Sequence, residues 1–191
     1  MLSSEVKQAI ADWTEWASKP DVQRYDIALL KIWIQFERFL GDLFVNYAIG
    51  ISSETGYLPP LKIRFQDEEQ FNAFMREKNG KYIEYLDKIE KLSSHIFEVN
   101  PYDVLLLDAN NKTAFEQMKA IRNYIVHESG TAKIVLLNKC FNGDERKYVE
   151  PNVFLLKKEK NTKIPYYTYY TTIISNVVDL LISKPTDSGQ T

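Results

Sequence analysis

A mainly α-helical fold, with a small β-hairpin near the C-terminus, is what the sequence predicts. Three observations lead there. Apolar residues recur at three- and four-residue spacing through most of the chain. Residues 22–48 hold that spacing with two anomalies, Glu37 and Gly41. Only after Gly130 does the pattern change to short β-branched runs. The 191 residues suit one domain over 1–183, followed by a polar tail over 184–191 that is expected to be flexible.

Each element has its own signal. Ser3 or Ser4 can cap a first helix reaching about Ser18, with Val6, Ile10, Trp13 and Ala17 on one face. Lys19-Pro20-Asp21 ends it. The long helix over 22–48 carries two apolar rows. Ile27, Leu30, Ile34, Glu37, Gly41, Phe44 and Ala48 form the row expected to be innermost, interrupted by Glu37 and Gly41. Leu29, Trp33, Phe36, Leu40, Leu43 and Tyr47 form the second. So wide an apolar arc implies packing on more than one side. Gly50, Gly56, Pro59 and Pro60 mark a loop. Two shorter helices follow, over 67–78 with Phe71 and Phe74 inside, and over 82–92 with Ile83, Leu86 and Ile89 inside. Residues 97–108 are irregular around Asn100-Pro101.

Thr113-Ala114-Phe115-Glu116 matches a capping box, and Gly130 suits the position just past a helix end. A helix is therefore expected between them, with Phe115, Met118, Ile121 and Ile125 buried. Residues 134–137 and 153–156 read as short strands. Asn161-Thr162 would turn 153–158 back onto 164–169 as the hairpin. A last helix spans 170–183.

Composition narrows the function classes. The chain is 45% hydrophobic and 26% charged, ordinary for a globular protein. A net charge of −2 provides no global basic field, so any RNA-binding surface is local or assembled between subunits. One cysteine, Cys140, excludes a disulfide within the chain. Two histidines and that cysteine, without ligand spacing, point to no metal site. Phosphate-loop and dinucleotide fingerprints are missing, so no cofactor is expected. The N-terminal segment lacks the build of a signal peptide and no apolar run reaches the length of a membrane span, which points to a cytoplasmic protein.

The segment with chemistry is Ile121-Arg122-Asn123-Tyr124-Ile125-Val126-His127. It resembles the Arg-x4-His signature of the HEPN superfamily, with Asn123 as the polar residue that commonly follows the arginine. The context is similar too. The motif closes a helix, Ser129-Gly130 breaks the chain after it, and an earlier long helix embeds an acid, Glu37. The resemblance covers roughly residues 22–183 in helical layout, and residues 100–130 look most like the RiboL-PSP-type branch. It implies a HEPN-like antiparallel helical bundle. It also implies a metal-independent RNA endonuclease that uses the substrate's 2′-hydroxyl as nucleophile, leaving a 2′,3′-cyclic phosphate and a free 5′-hydroxyl. A homodimer in which two motifs form one composite site is implied as well. So is a toxin–antitoxin, abortive-infection or other defence setting, with a cognate antitoxin or defence-system protein as partner.

The residues suit that work. Five helical positions turn the chain about 140° beyond one full turn, so Arg122 and His127 do not stack within one copy. A partner surface is needed to close a cleft around both. Arg122 would hold the scissile phosphate and stabilise its growing charge. His127 would act as general base or acid, and Asn123 would fix the geometry of its neighbours. Glu37 reads as a supporting partner of Arg122. Each has a plainer reading. In it Arg122 is anchored structurally to Glu37, His127 only complements the helix dipole, and Asn123 is a satisfied polar group. A catalytically silent dimer that binds RNA, nucleotide or protein is the rival function, and a helical interaction subunit is a third.

Lys157, Lys158, Lys160 and Lys163, followed by Tyr166, Tyr167, Tyr169 and Tyr170, offer phosphate contacts and aromatic faces for RNA, or else a solvated hairpin tip over packed rings. The chain departs from one pattern in the family. Some HEPN toxins have a modified Tyr two residues after the motif His, where this chain has Ser129.

Overall fold

The computed structural model describes residues 2–75 and 85–185, except the side chains of 85–87 and 106. Among these, nine α-helices follow in order: α1 (Leu2–Ala17), α2 (Tyr25–Ala48), α3 (Glu68–Met75), α4 (Tyr85–Ile96), α5 (Asp103–Leu106), α6 (Ala109–His127), α7 (Gly130–Phe141), α8 (Pro151–Leu156) and α9 (Tyr166–Ile182). A single 3-10 turn, Glu145–Lys147, joins α7 to α8.

The wide apolar arc of α2 makes it the central helix. Leu29, Trp33, Phe36, Leu40, Leu43 and Tyr47 are all buried, so the second row faces the core. The first row is only partly inside, because Ile34 is 42% exposed and Glu37 is half-buried. Neighbours pack around this axis. Gln35 Nε2 donates to Glu5 Oε2 (3.0 Å), and the Lys31 ammonium lies 5.8 Å from the Trp13 ring centre. These contacts set α1 antiparallel to α2. Phe115 of α6 stacks on Phe36 at 5.4 Å and meets Trp33 at 6.1 Å. Helix α9 runs along α2 in the same direction, from Tyr167 against Tyr25 to Leu181, whose carbonyl accepts from Tyr47 Oη at 2.8 Å. Ser53 Oγ donates to the Ile182 carbonyl at 2.7 Å, so the loop after α2 satisfies the end of α9.

Several boundaries differ from the sequence expectation, each for a physical reason. Helix α2 starts at Tyr25 rather than Val22, and its cap comes from far away. Asn152 Oδ1 accepts from the Tyr25 amide at 2.8 Å. Ser3, expected as a cap, is buried within α1 and hydrogen-bonds Glu54. The capping box is not used. Asp108 caps α6, accepting from the Asn111 amide at 2.8 Å, while Thr113 Oγ1 donates back to the Ala109 carbonyl at 2.8 Å. Gly130 does not follow the helix end. Glu128 takes the left-handed position (φ 43°), and Gly130 opens α7. Phe74 is 51% exposed, although Phe71 is fully buried. The expected ends at 76–78 and 82–84, and the tail over 186–191, fall outside the described residues, as do the placements of Ile83 and the Leu86 side chain.

The β-hairpin is not formed. Residues 134–137 lie in α7, 153–156 in α8, and 166–169 open α9. Short apolar runs carry little period, so local stops decide. Ser129 Oγ caps α7 by accepting from the Ala132 amide (3.2 Å), and Pro151 sits at the first position of α8. The expected turn is real. One antiparallel bridge joins Lys158 and Pro165, and Glu159 Oε2 accepts from the Asn161 and Thr162 amides at 2.8 and 2.7 Å.

Candidate functional site

The motif occupies the last turns of α6, where that helix meets α7. Arg122 and Asn123 are half-buried, and His127, the final residue of α6, is exposed. Arg122 Nη1 donates to Asn123 Oδ1 at 2.9 Å. Arg122 Nε is buried and has no hydrogen-bond partner. Asn123 thus fixes one edge of the guanidinium, while Nε, out of reach of solvent, makes no hydrogen bond among the described residues.

Glu37 is half-buried on α2. Phe115 packs at Phe36 and Trp33, while Tyr124 reaches Tyr148, near the Glu150–Asn152 segment that caps Tyr25. Helix α6 therefore runs antiparallel to α2.

A second arrangement adjoins the motif. Tyr148 Oη lies 3.0 Å from Tyr124 Oη and 2.8 Å from Glu150 Oε1. A phenol has one proton and an ionised carboxylate has none. Tyr148 therefore donates to Glu150 and accepts from Tyr124. Burial first, then its bonds to Tyr124 and Glu150, raise the Tyr148 hydroxyl well above its ordinary pKa, so it stays protonated. The Lys133 ammonium sits 4.7 Å from the centre of the Tyr148 ring. The Glu128 amide donates to the Tyr124 carbonyl at 2.9 Å, closing the turn that carries His127. The sequence offered no signal for this group, since Tyr148 and Glu150 lie more than twenty positions from the motif and outside any pattern.

The remaining candidates fall into place. Ser129 is the α7 cap, its oxygen engaged by Ala132. Lys157, Lys158, Lys160 and Lys163 are all exposed on the α8–α9 turn. The tyrosines beside them are not free faces. Tyr167 and Tyr170 are buried, and Tyr166 stacks on Phe154 at 4.4 Å. His95 is exposed on the last turn of α4. Burial pushes the Cys140 thiol up to about 12, which leaves it inert. Among the described residues, no cluster of His, Cys, Asp or Glu could hold a metal ion, and no helix is long and apolar enough to cross a membrane.

Large apolar side chains flank the motif in the open. Val126 is 49% exposed, and Ile134 on α7 is 61% exposed. Comparison with protein-family models, curated proteins and solved structures gives no match.

Proposed function

We propose that the chain is a metal-independent RNA endonuclease of HEPN type that acts as a homodimer. One observation supports the reading: a half-buried Arg122, steered by Asn123, on the same helix end as an exposed His127. Arg122 binds the scissile phosphate and stabilises the charge gathering on its oxygens. One His127 removes the 2′-hydroxyl proton, and the partner copy's counterpart protonates the leaving 5′-oxygen. The products are a 2′,3′-cyclic phosphate and a 5′-hydroxyl. Lys157, Lys158, Lys160 and Lys163 add phosphate contacts for the strand outside the site. A toxin–antitoxin or phage-defence setting, with a cognate antitoxin or defence-system partner, comes with the family likeness.

A second copy closes the site. The exposed Val126 and Ile134 beside the motif provide apolar surface for it. Ile134→Glu tests the shared site without disturbing the core. The variant should sediment as a folded monomer and lose cleavage of tRNA and total RNA. A monomeric variant that cleaves at the wild-type rate contradicts the composite site.

A further inference from the structure

The end of α6 is tied down by a chain of hydroxyls that the catalytic reading does not use. Tyr124 lies three positions before His127, so the two side chains are neighbours on the helix surface. The Tyr124 hydroxyl donates to Tyr148, Tyr148 donates to Glu150, and Lys133 covers the Tyr148 ring. Three segments thus converge on one phenol: the last turn of α6, the first turns of α7, and the lead-in to α8. The Tyr148 ring is further held edge-on by Phe141, at 5.7 Å between centres. On the same turn Ile125 packs against the core, whereas Val126, His127, Glu128 and Ser129 are exposed, so the imidazole itself is placed only through the turn that carries it.

We propose that Tyr148 is a positioning residue, which sets the angle of the last α6 turn and so the placement of His127, through Tyr124. The inference rests on the reading of His127 as the general acid and base. It goes beyond that reading by assigning Tyr148, Tyr124 and Glu150 a role in the reaction rather than in RNA binding. Proton transfer is steeply sensitive to placement, and a shift of about 1 Å can cost a hundredfold in rate. Substrate affinity comes from Arg122 and the lysines, and it is not set by this chain.

Tyr148→Phe keeps the ring, its contact with Lys133 and its packing on Phe141, and removes only the hydroxyl. Steady-state cleavage of a short RNA should show kcat reduced at least tenfold with KM within about threefold. Tyr124→Phe should show the same split. Combining the two should cost no more than either alone, since both break one chain. Arg122→Ala and His127→Ala run alongside. A wild type that cleaves, with both of those variants inactive and Tyr148→Phe at full kcat, overturns the positioning role alone. A Tyr148→Phe variant that loses KM and kcat together with its thermal midpoint shows a merely structural tyrosine and also overturns it. A wild type that does not cleave removes the ribonuclease reading and this inference with it.

Discussion

Arg122→Met separates a functional arginine from a structural one by stability alone. Methionine keeps the apolar stem and removes the guanidinium. Two effects then oppose each other. Loss of the Nη1–Asn123 bond costs about 1.5–3 kcal/mol, the range for hydrogen bonds to charged groups. Removal of the buried, unpartnered Nε relieves about 1–3 kcal/mol. The net change should lie within about 2 kcal/mol of zero, or at most about 8 °C in thermal midpoint for a chain of this size. An arginine locked in a buried ion pair would behave otherwise, since breaking such a pair costs about 3–5 kcal/mol. Urea unfolding followed by tryptophan fluorescence reads the difference directly. Asn123→Ala sharpens it, because that change should cost more in the wild type than in the Arg122→Met background. A loss of 3 kcal/mol or more in Arg122→Met would refute the reasoning and make the arginine structural.

Other outcomes follow from the same packing. Tyr47→Phe leaves the buried Leu181 carbonyl short of its donor and should cost about 1–3 kcal/mol in urea unfolding; an unchanged midpoint would mean that α9 ends without this bond. Backbone and hydroxyl donors from Thr162, together with the Asn161 amide, hold the Glu159 carboxyl below its ordinary range. A depressed folded pKa gives stability that is present above the ordinary Glu range and is lost as pH falls through the folded value. The stability gap between wild type and Glu159→Gln should therefore narrow from pH 7 to pH 3, and a constant gap would rule out the carboxylate as its source.

The helices were legible wherever apolar periodicity was long. Helices α1, α2 and α9 follow from their rows, and the buried faces of Phe115, Met118 and Ile121 from theirs. What the sequence hid was tertiary. The start of α2 depends on Asn152, more than a hundred residues away, and no local pattern encodes that cap. Residues 134–137 and 153–156 are β-branched or apolar runs too short to carry a period, and Ser129 and Pro151 turned both into helices. The start of α6 was misplaced, and at its end, met within one residue of the expected Glu128, the terminating residue differed. Asp108 caps in place of Thr113, and Glu128 takes the left-handed conformation that the sequence assigns to Gly130. The candidate site was half visible. Arg122, Asn123 and His127 lie in one heptapeptide, whereas Tyr148 reaches Tyr124 of that segment, and Glu150 reaches Tyr148, only through folding.

The most direct measurement is cleavage of total RNA and tRNA in EDTA by the purified chain, beside Arg122→Ala and His127→Ala. The account expects cutting by the wild type alone, with 2′,3′-cyclic phosphate and 5′-hydroxyl ends. No cutting by the wild type, or equal cutting by all three proteins, would contradict it.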